Sequence, residues 1–231
     1  METEQKDAPK KLEILVVEDN PRYIEQARNC FRPAEEQGIA RVSYAGNLAQ
    51  AESLLETRVY NGIISDVFFP SGYESERDVI AKERLYGLLG GELRIRGDLK
   101  DDNAEVNEFP YGVVVAAKAA ALGIPVILNT DSYHHGEKSQ QVHEWVMKEK
   151  INMVDIDPSE DHKNYLTGRN YLIGDNGNKL KKWDIACLEL AKKIAEKQGV
   201  DRMNLPMFQF AFNQEMRKIE EERMQKWRTK S

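Results

Sequence analysis

Tyr60-Asn61-Gly62-Ile63-Ile64-Ser65-Asp66-Val67-Phe68-Phe69-Pro70 is the stretch whose reading decides the fold. Gly62 to Ser65 is short, rich in β-branched residues and bounded by turn formers, which predicts a buried strand. Asp66 then stands at the carboxyl end of that strand, with Pro70 four residues later. In an open parallel sheet, ligands bind at that edge. Upstream, Leu12 to Val17 is a second such run and ends in Glu18-Asp19-Asn20. Downstream, Ile124 to Asn129 is a third and ends in Thr130-Asp131-Ser132. Three strands thus deliver polar groups to one edge, and the rest of the chain reads as scaffold and cover.

Working outward, helical patterns fill the gaps between these runs. Asn20-Pro21 starts the first, with Asn20 as N-cap and Pro21 at the first helical position. Ile24, Ala27, Cys30 and Phe31 keep helical spacing behind it. Ile39 to Tyr44 is a weaker strand, and Asn47 caps a helix striped by Leu48, Ala51, Leu54 and Leu55. From Ser71 to Pro110 the alternation breaks. Asp78 to Leu89 reads as a short helix ended by Gly90-Gly91, and Leu99 to Glu108 as an acidic mobile loop. That insertion is either a lid over the strand edge or a neutral surface excursion.

Tyr111 to Leu122 is an Ala- and Val-rich helix feeding the strand that ends at Asn129, and Gln140 to Lys150 is a further helix. Ile151 to Ile156 and Asn170 to Ile173 compete for the place of fifth strand. Tyr171-Leu172-Ile173 is preferred, because the helix Trp183 to Gln198 follows it and ends at Gly199. Leu205, Phe208, Phe212, Met216 and Ile219 form a last stripe. The expected organisation is a polar tail at 1–11, a domain at 12–199 with an insertion at 71–110, and a helical extension at 200–231. Alternating strands and helices predict an α/β fold, a doubly wound parallel sheet covered on both faces.

Composition narrows the function classes. A hydrophobic content of 41% suffices for a core, yet no apolar run approaches a membrane span. The formal net charge of -6 and the lack of a helix-turn-helix pattern argue against nucleic acid. The polar start is neither a signal nor a transit peptide, which makes the cytoplasm the default. Cys30 and Cys187 have no metal or redox spacing, and Cys30 reads as a small core residue. His134 and His135 are adjacent, so their side chains diverge and a metal role is disfavoured. The turn after the first strand has no glycine-rich phosphate cradle, which argues against a dinucleotide or P-loop protein.

The polar tips suggest their own chemistry. Glu18, Asp19 and Asp66 on one edge would repel one another, and a hard divalent cation such as magnesium or manganese relieves this. Asp66 can act as a nucleophile toward a phosphoryl group. The Thr130 hydroxyl and a lysine would then serve the phosphoryl oxygens, since phosphoryl transfer is positioning plus charge neutralisation.

The chain resembles the receiver domain of two-component response regulators. The matching pieces are Val16-Val17-Glu18-Asp19-Asn20, Asp66-Val67-Phe68-Phe69-Pro70 and Ile124-Pro125-Val126-Ile127-Leu128-Asn129-Thr130. They cover roughly 12–198 once the insertion is set aside. The resemblance implies a five-stranded sheet of order 2-1-3-4-5 and a phosphoacceptor at Asp66. It implies Mg2+ held by Glu18, Asp19, Asp66 and the Phe68 carbonyl, and a switch hydroxyl at Thr130 with Tyr171 as the aromatic that follows it. It also implies a protein partner, a histidine kinase or phosphotransfer protein. The chain departs from the pattern in three places, one of them the insertion after Pro70 and the Tyr133-His134-His135-Gly136 loop, which are both expected near the site mouth, where they would block a kinase partner. Asp131 stands where a small residue is usual, and the lysine-proline pair after strand five is absent. Lys181 is the expected substitute, with Lys179 and Lys182 nearby, and its ammonium is expected within salt-bridge reach of Asp66.

Three readings follow. The first is a single-domain signalling protein phosphorylated at Asp66, a phosphoacceptor rather than an enzyme. The second is a pseudo-receiver that binds a partner without phosphotransfer. The third is a magnesium-dependent phosphatase or phosphotransferase with the insertion as its lid. The apolar stripe of the extension packs on the domain or on a second copy.

Overall fold

A computed structural model describes residues 11–91, 109–131, 140–154 and 181–228. The chain alternates strand and helix in the order β1 (Leu12–Val17), α1 (Pro21–Glu36), β2 (Ala40–Ala45), α2 (Leu48–Thr57) and β3 (Gly62–Ser65). Among the described residues, the helices α3 (Ser75–Leu89) and α4 (Gly112–Ala121) follow, and then β4 (Val126–Asn129). The remainder is α5 (Gln140–Glu149), β5 (Asn152–Val154), α6 (Trp183–Gln198) and α7 (Pro206–Arg228). The strands form one parallel sheet in the order β2-β1-β3-β4-β5.

Strand alternation splits the core in two. Ile14 and Val16 of β1 face one layer with Phe31 of α1 and Leu190 of α6. Leu15 and Val17 face the other with Leu48 of α2 and Val113 of α4. Strands buried on both faces read as continuous apolar runs, and this is why the short runs were legible. Each buried Ile, Leu or Phe contributes about 1.5–3 kcal/mol.

Helix starts follow the cap residues. The Asn20 side chain accepts from Arg22 N at 3.0 Å, and that of Asn47 from Gln50 N at 2.9 Å. The buried face of α1 is Tyr23, Ala27, Phe31 and Ala34. Cys30 is only half-buried at its flank, which corrects its reading as a core residue.

The fifth strand corrects the preference for Tyr171-Leu172-Ile173. Asn152–Val154 pairs with β4, from Ile127↔Asn152 to Asn129↔Val154. Lys150, with φ of 55°, turns the chain from α5 straight into this strand. It is a short edge strand with only Val154 buried, too slight a pattern to stand out in sequence. Tyr171, the expected aromatic partner of the switch, lies outside the described residues, as do Lys179, His134, His135 and 99–108.

The beginning of the insertion is helical and docked. Ala81 and Leu85 of α3 join the second core layer. Ser71 and Tyr111 both donate to Asp78 Oδ1, and Lys82 pairs with Asp78 Oδ2 at 2.8 Å. In the extension, Leu205, Met207, Phe208 and Ala211 are buried in the first core layer. Phe212 is 38% exposed and Met216 37%, so the predicted stripe is buried at Leu205 and Phe208 and more open at these two, while the Ile219 side chain lies outside the description.

Candidate functional site: an acid pocket closed by Lys181

Sheet register places the acids side by side. Val17 pairs with Ser65, and Asp66 N donates to Val17 O at 2.7 Å. Glu18 N donates to Ala45 O at 2.9 Å. Glu18 and Asp66 therefore leave adjacent central strands at the same level, both buried. Asp19 is half-buried beside them. The three carboxylates each offer an oxygen within 4.8 Å of the others, the donor set of hard oxygens that suits a divalent cation.

Lys181 enters this cluster from the start of α6. Its Nζ lies 2.7 Å from Asp66 Oδ2 and 2.5 Å from Glu18 Oε2. Trp183, buried in the first core layer two residues later, holds the start of α6 against the sheet. The remaining oxygens of both acids accept from backbone. Val67 N donates to Asp66 Oδ1 at 2.6 Å, and Asn20 N to Glu18 Oε1 at 3.1 Å. One ammonium thus bridges two acids, and two backbone amides orient them.

Burial sets the electrostatics. It pushes Glu18 up to about 8, with Asp66 adding to the rise and Lys181 opposing it. Burial likewise lifts Asp66 to about 6 against the pull of Lys181. Asp19 is raised for the same reason. Burial works against the Lys181 charge, but Asp66 and Glu18 more than offset it and hold the ammonium above the ordinary lysine range.

Two residues of the pocket were not singled out from sequence. Tyr23, in the first turn of α1, places its ring 4.7 Å from Lys181 Nζ and donates its hydroxyl to Asp131 Oδ2 at 2.8 Å. Asp131 was noted as an unusual acid, and its tyrosine partner was not foreseen. The only sequence signal was the tyrosine's place three residues past the N-cap, over the β1 tip. Gly112 is the other. A Cβ there would lie 2.2 Å from Asp66 O and 2.8 Å from Val67 Cα, and Gly112 N donates to Val67 O at 3.0 Å. The N-terminus of α4 is thereby pressed onto the backbone of the acid loop.

Thr130 is buried at the tip of β4, its N–H donating to Val154 O at 2.9 Å. Asn129 before it is fully buried, and its side-chain amide has no hydrogen-bond partner among the described residues. Phe68 is half-buried in the bend two residues past Asp66. The same loop ties back to α2, where Leu48 N donates to Pro70 O at 3.2 Å and Ala49 N to Ser71 O at 2.9 Å.

The strand order and the acids at the β1 and β3 tips decide the architecture. The fold is receiver-like. Among the solved structures similar to this chain are two signal receiver domains. One is the signal receiver domain of an HD domain-containing protein from Pseudomonas fluorescens Pf-5, 14% identical, with a TM-score of 0.36 over 63% of this chain and 82% of that chain. The other is the signal receiver domain of a signal transduction histidine kinase from Syntrophus aciditrophicus, 22% identical, with a TM-score of 0.33 over 65% and 81%. Likeness at this level adds nothing to what the strand order of the receiver-like domain establishes. No protein-family model and no curated protein matches the chain. Among the described residues, no helix is long and apolar enough to cross a membrane.

Proposed function

We propose that this chain is a receiver-like signalling protein in which Asp66 accepts a phosphoryl group and the modification regulates a protein contact. The observation that carries the reading is Lys181 Nζ at 2.7 Å from Asp66 Oδ2. An ammonium in that place supplies the counter-charge that a phosphorylated carboxylate needs.

In the reaction, a carboxylate oxygen of Asp66 attacks phosphorus, and the bond from phosphorus to the donor's leaving atom breaks. The donor departs with that bond's electron pair, and Asp66 becomes an aspartyl phosphate. Lys181 stays on the phosphoryl oxygens as charge accumulates. Thr130, on the neighbouring strand tip, donates its hydroxyl to one of them. Glu18 and Asp19, with Asp66 and the Phe68 carbonyl, would hold magnesium, which when bound neutralises further charge on the phosphoryl oxygens. The donor is a histidine kinase, a phosphotransfer protein or a small acyl phosphate. The part of α7 beyond Ala211 offers a contact to a second copy of the chain, which sedimentation before and after phosphorylation tests.

Intact mass spectrometry after incubation with acetyl phosphate and magnesium tests the reading. The wild type should gain one phosphoryl group and Asp66→Asn none. Equal labelling of both proteins, or of neither, would overturn it. One observation favours a second reading, a pseudo-receiver. Asp131 adds a fourth acid to the pocket and raises the cost of a dianionic phosphoryl group. A protein that takes no phosphoryl group yet binds a partner through this edge would have that role.

A further inference from the structure

Cys30 and Cys187 are the only two cysteines of the chain and lie 157 residues apart in sequence. The fold brings their Sγ atoms to 3.9 Å. Cys30 stands on the flank of α1 and is half-buried, whereas Cys187 is buried in the second turn of α6. Tyr44 of β2 packs against the same core layer as Cys30, and the Arg28 guanidinium sits 5.2 Å from its ring.

We infer that Cys30 and Cys187 are a redox site, a dithiol that closes to an intramolecular disulfide stapling α1 to α6. A disulfide needs sulfurs about 2.05 Å apart, so the pair closes by about 2 Å, within reach of small side-chain rotations. The division of labour follows from exposure. With a peroxide as oxidant, the Cys30 thiol loses its proton and the thiolate attacks one peroxide oxygen. The O–O bond breaks, hydroxide leaves, and Cys30 carries a sulfenic hydroxyl. Cys187, already in contact, then attacks the Cys30 sulfur. The S–S bond forms, the S–O bond breaks, and the hydroxyl leaves as water with the Cys187 proton. Two thiols have lost two electrons and two protons, and the peroxide has become two waters. Only Cys30 has to meet the oxidant.

The bridge also bears on the acid pocket by position. α1 begins directly after Glu18-Asp19-Asn20, and α6 begins two residues after Lys181. A covalent tie between these helices fixes the two sides of the Lys181–Glu18 contact relative to each other.

The test uses the full chain treated with hydrogen peroxide, followed by alkylation of remaining thiols and intact mass measurement without reductant. The wild type should become lighter by two hydrogens as a monomer, take up no alkyl group, and revert with dithiothreitol. Its melting temperature should rise by roughly 5 °C or more on oxidation, because the closed loop is long. Cys30→Ser and Cys187→Ser should each fail to lose the two hydrogens. The wild-type measurement stands even where the buried Cys187→Ser variant folds poorly. A treated wild type that keeps two alkylatable thiols, gains only oxygen, or crosslinks only between molecules would overturn the inference.

Discussion

Glu18 and Lys181 are 163 residues apart in the chain and 2.5 Å apart at Oε2 and Nζ. The same ammonium reaches Asp66, so one buried cation serves two buried acids. Removing one partner of such a cluster leaves charge stranded in the interior.

Lys181→Met keeps the stem over Tyr23 and removes the charge. Unfolding free energy at pH 8 should fall by about 3 kcal/mol or more. At pH 6 the loss should be smaller, because Glu18 and Asp66 can take protons in place of the ammonium. Urea denaturation at the two pH values measures this. A loss below about 1 kcal/mol at both would mean that the cluster is solvated rather than closed.

The stability of the metal-free protein should fall as pH rises from about 5 to about 8. Glu18 is held near 8 against an ordinary 4.5, and Asp66 near 6 against 3.8. The folded state therefore binds more protons than the unfolded chain across this window, and the slope of stability with pH is negative there. The contribution is fully present below the ordinary carboxylate values and is lost through the raised ones. The raised Lys181 value acts only above the ordinary lysine range. Magnesium should bind more tightly at pH 8 than at pH 6 and release protons on binding. Calorimetry in buffers of different ionisation enthalpy reads both. A magnesium affinity that does not change with pH would contradict the buried, proton-holding acids.

Gly112→Ala should damage the acid loop without touching an acid. Its Cβ would meet Asp66 O at 2.2 Å, and backbone atoms do not yield like the end of a side chain. A destabilisation of roughly 1–3 kcal/mol is expected, together with weaker magnesium binding. Thermal melting and a magnesium titration of the variant check this. A variant that melts and binds as the wild type does would show that α4 can slide away from the loop.

The extension should divide sharply along its length. Phe208→Ala, at a buried position in the first core layer, should cost about 3 kcal/mol or more. Phe212→Ala, one helical turn on and 38% exposed, should cost under about 1 kcal/mol in a monomer. A large loss for Phe212→Ala that grows with protein concentration would place a second copy on this face.

Much of the architecture was legible because its causes are local. The strands at Leu12–Val17, Gly62–Ser65 and Val126–Asn129 are apolar runs of strand length, each ended by a polar residue. The caps Asn20 and Asn47 and the left-handed Gly90 and Gly199 mark helix ends by side-chain bonding and backbone conformation. The fifth strand was not legible. Asn152–Val154 has three residues and one buried side chain, so neither length nor alternation separates it from a loop. The face of α1 was read a fraction of a turn away from its true centre, because Ile24 and Cys30 are apolar enough to pass for core.

The sequence by itself determined the first four strands, the helices around them and the delivery of Glu18, Asp19 and Asp66 to strand tips, since hydrophobic periodicity and capping act over a few residues. The tertiary structure alone decided which side chains meet above those tips. Lys181 against Glu18, Tyr23 against Asp131 and Cys30 against Cys187 span 163, 108 and 157 residues of chain. No local preference encodes such pairs. They arise because a parallel sheet wound on both faces stacks α1 and α6 on the same layer, and burial there makes each polar group take the partner that the winding brings within reach.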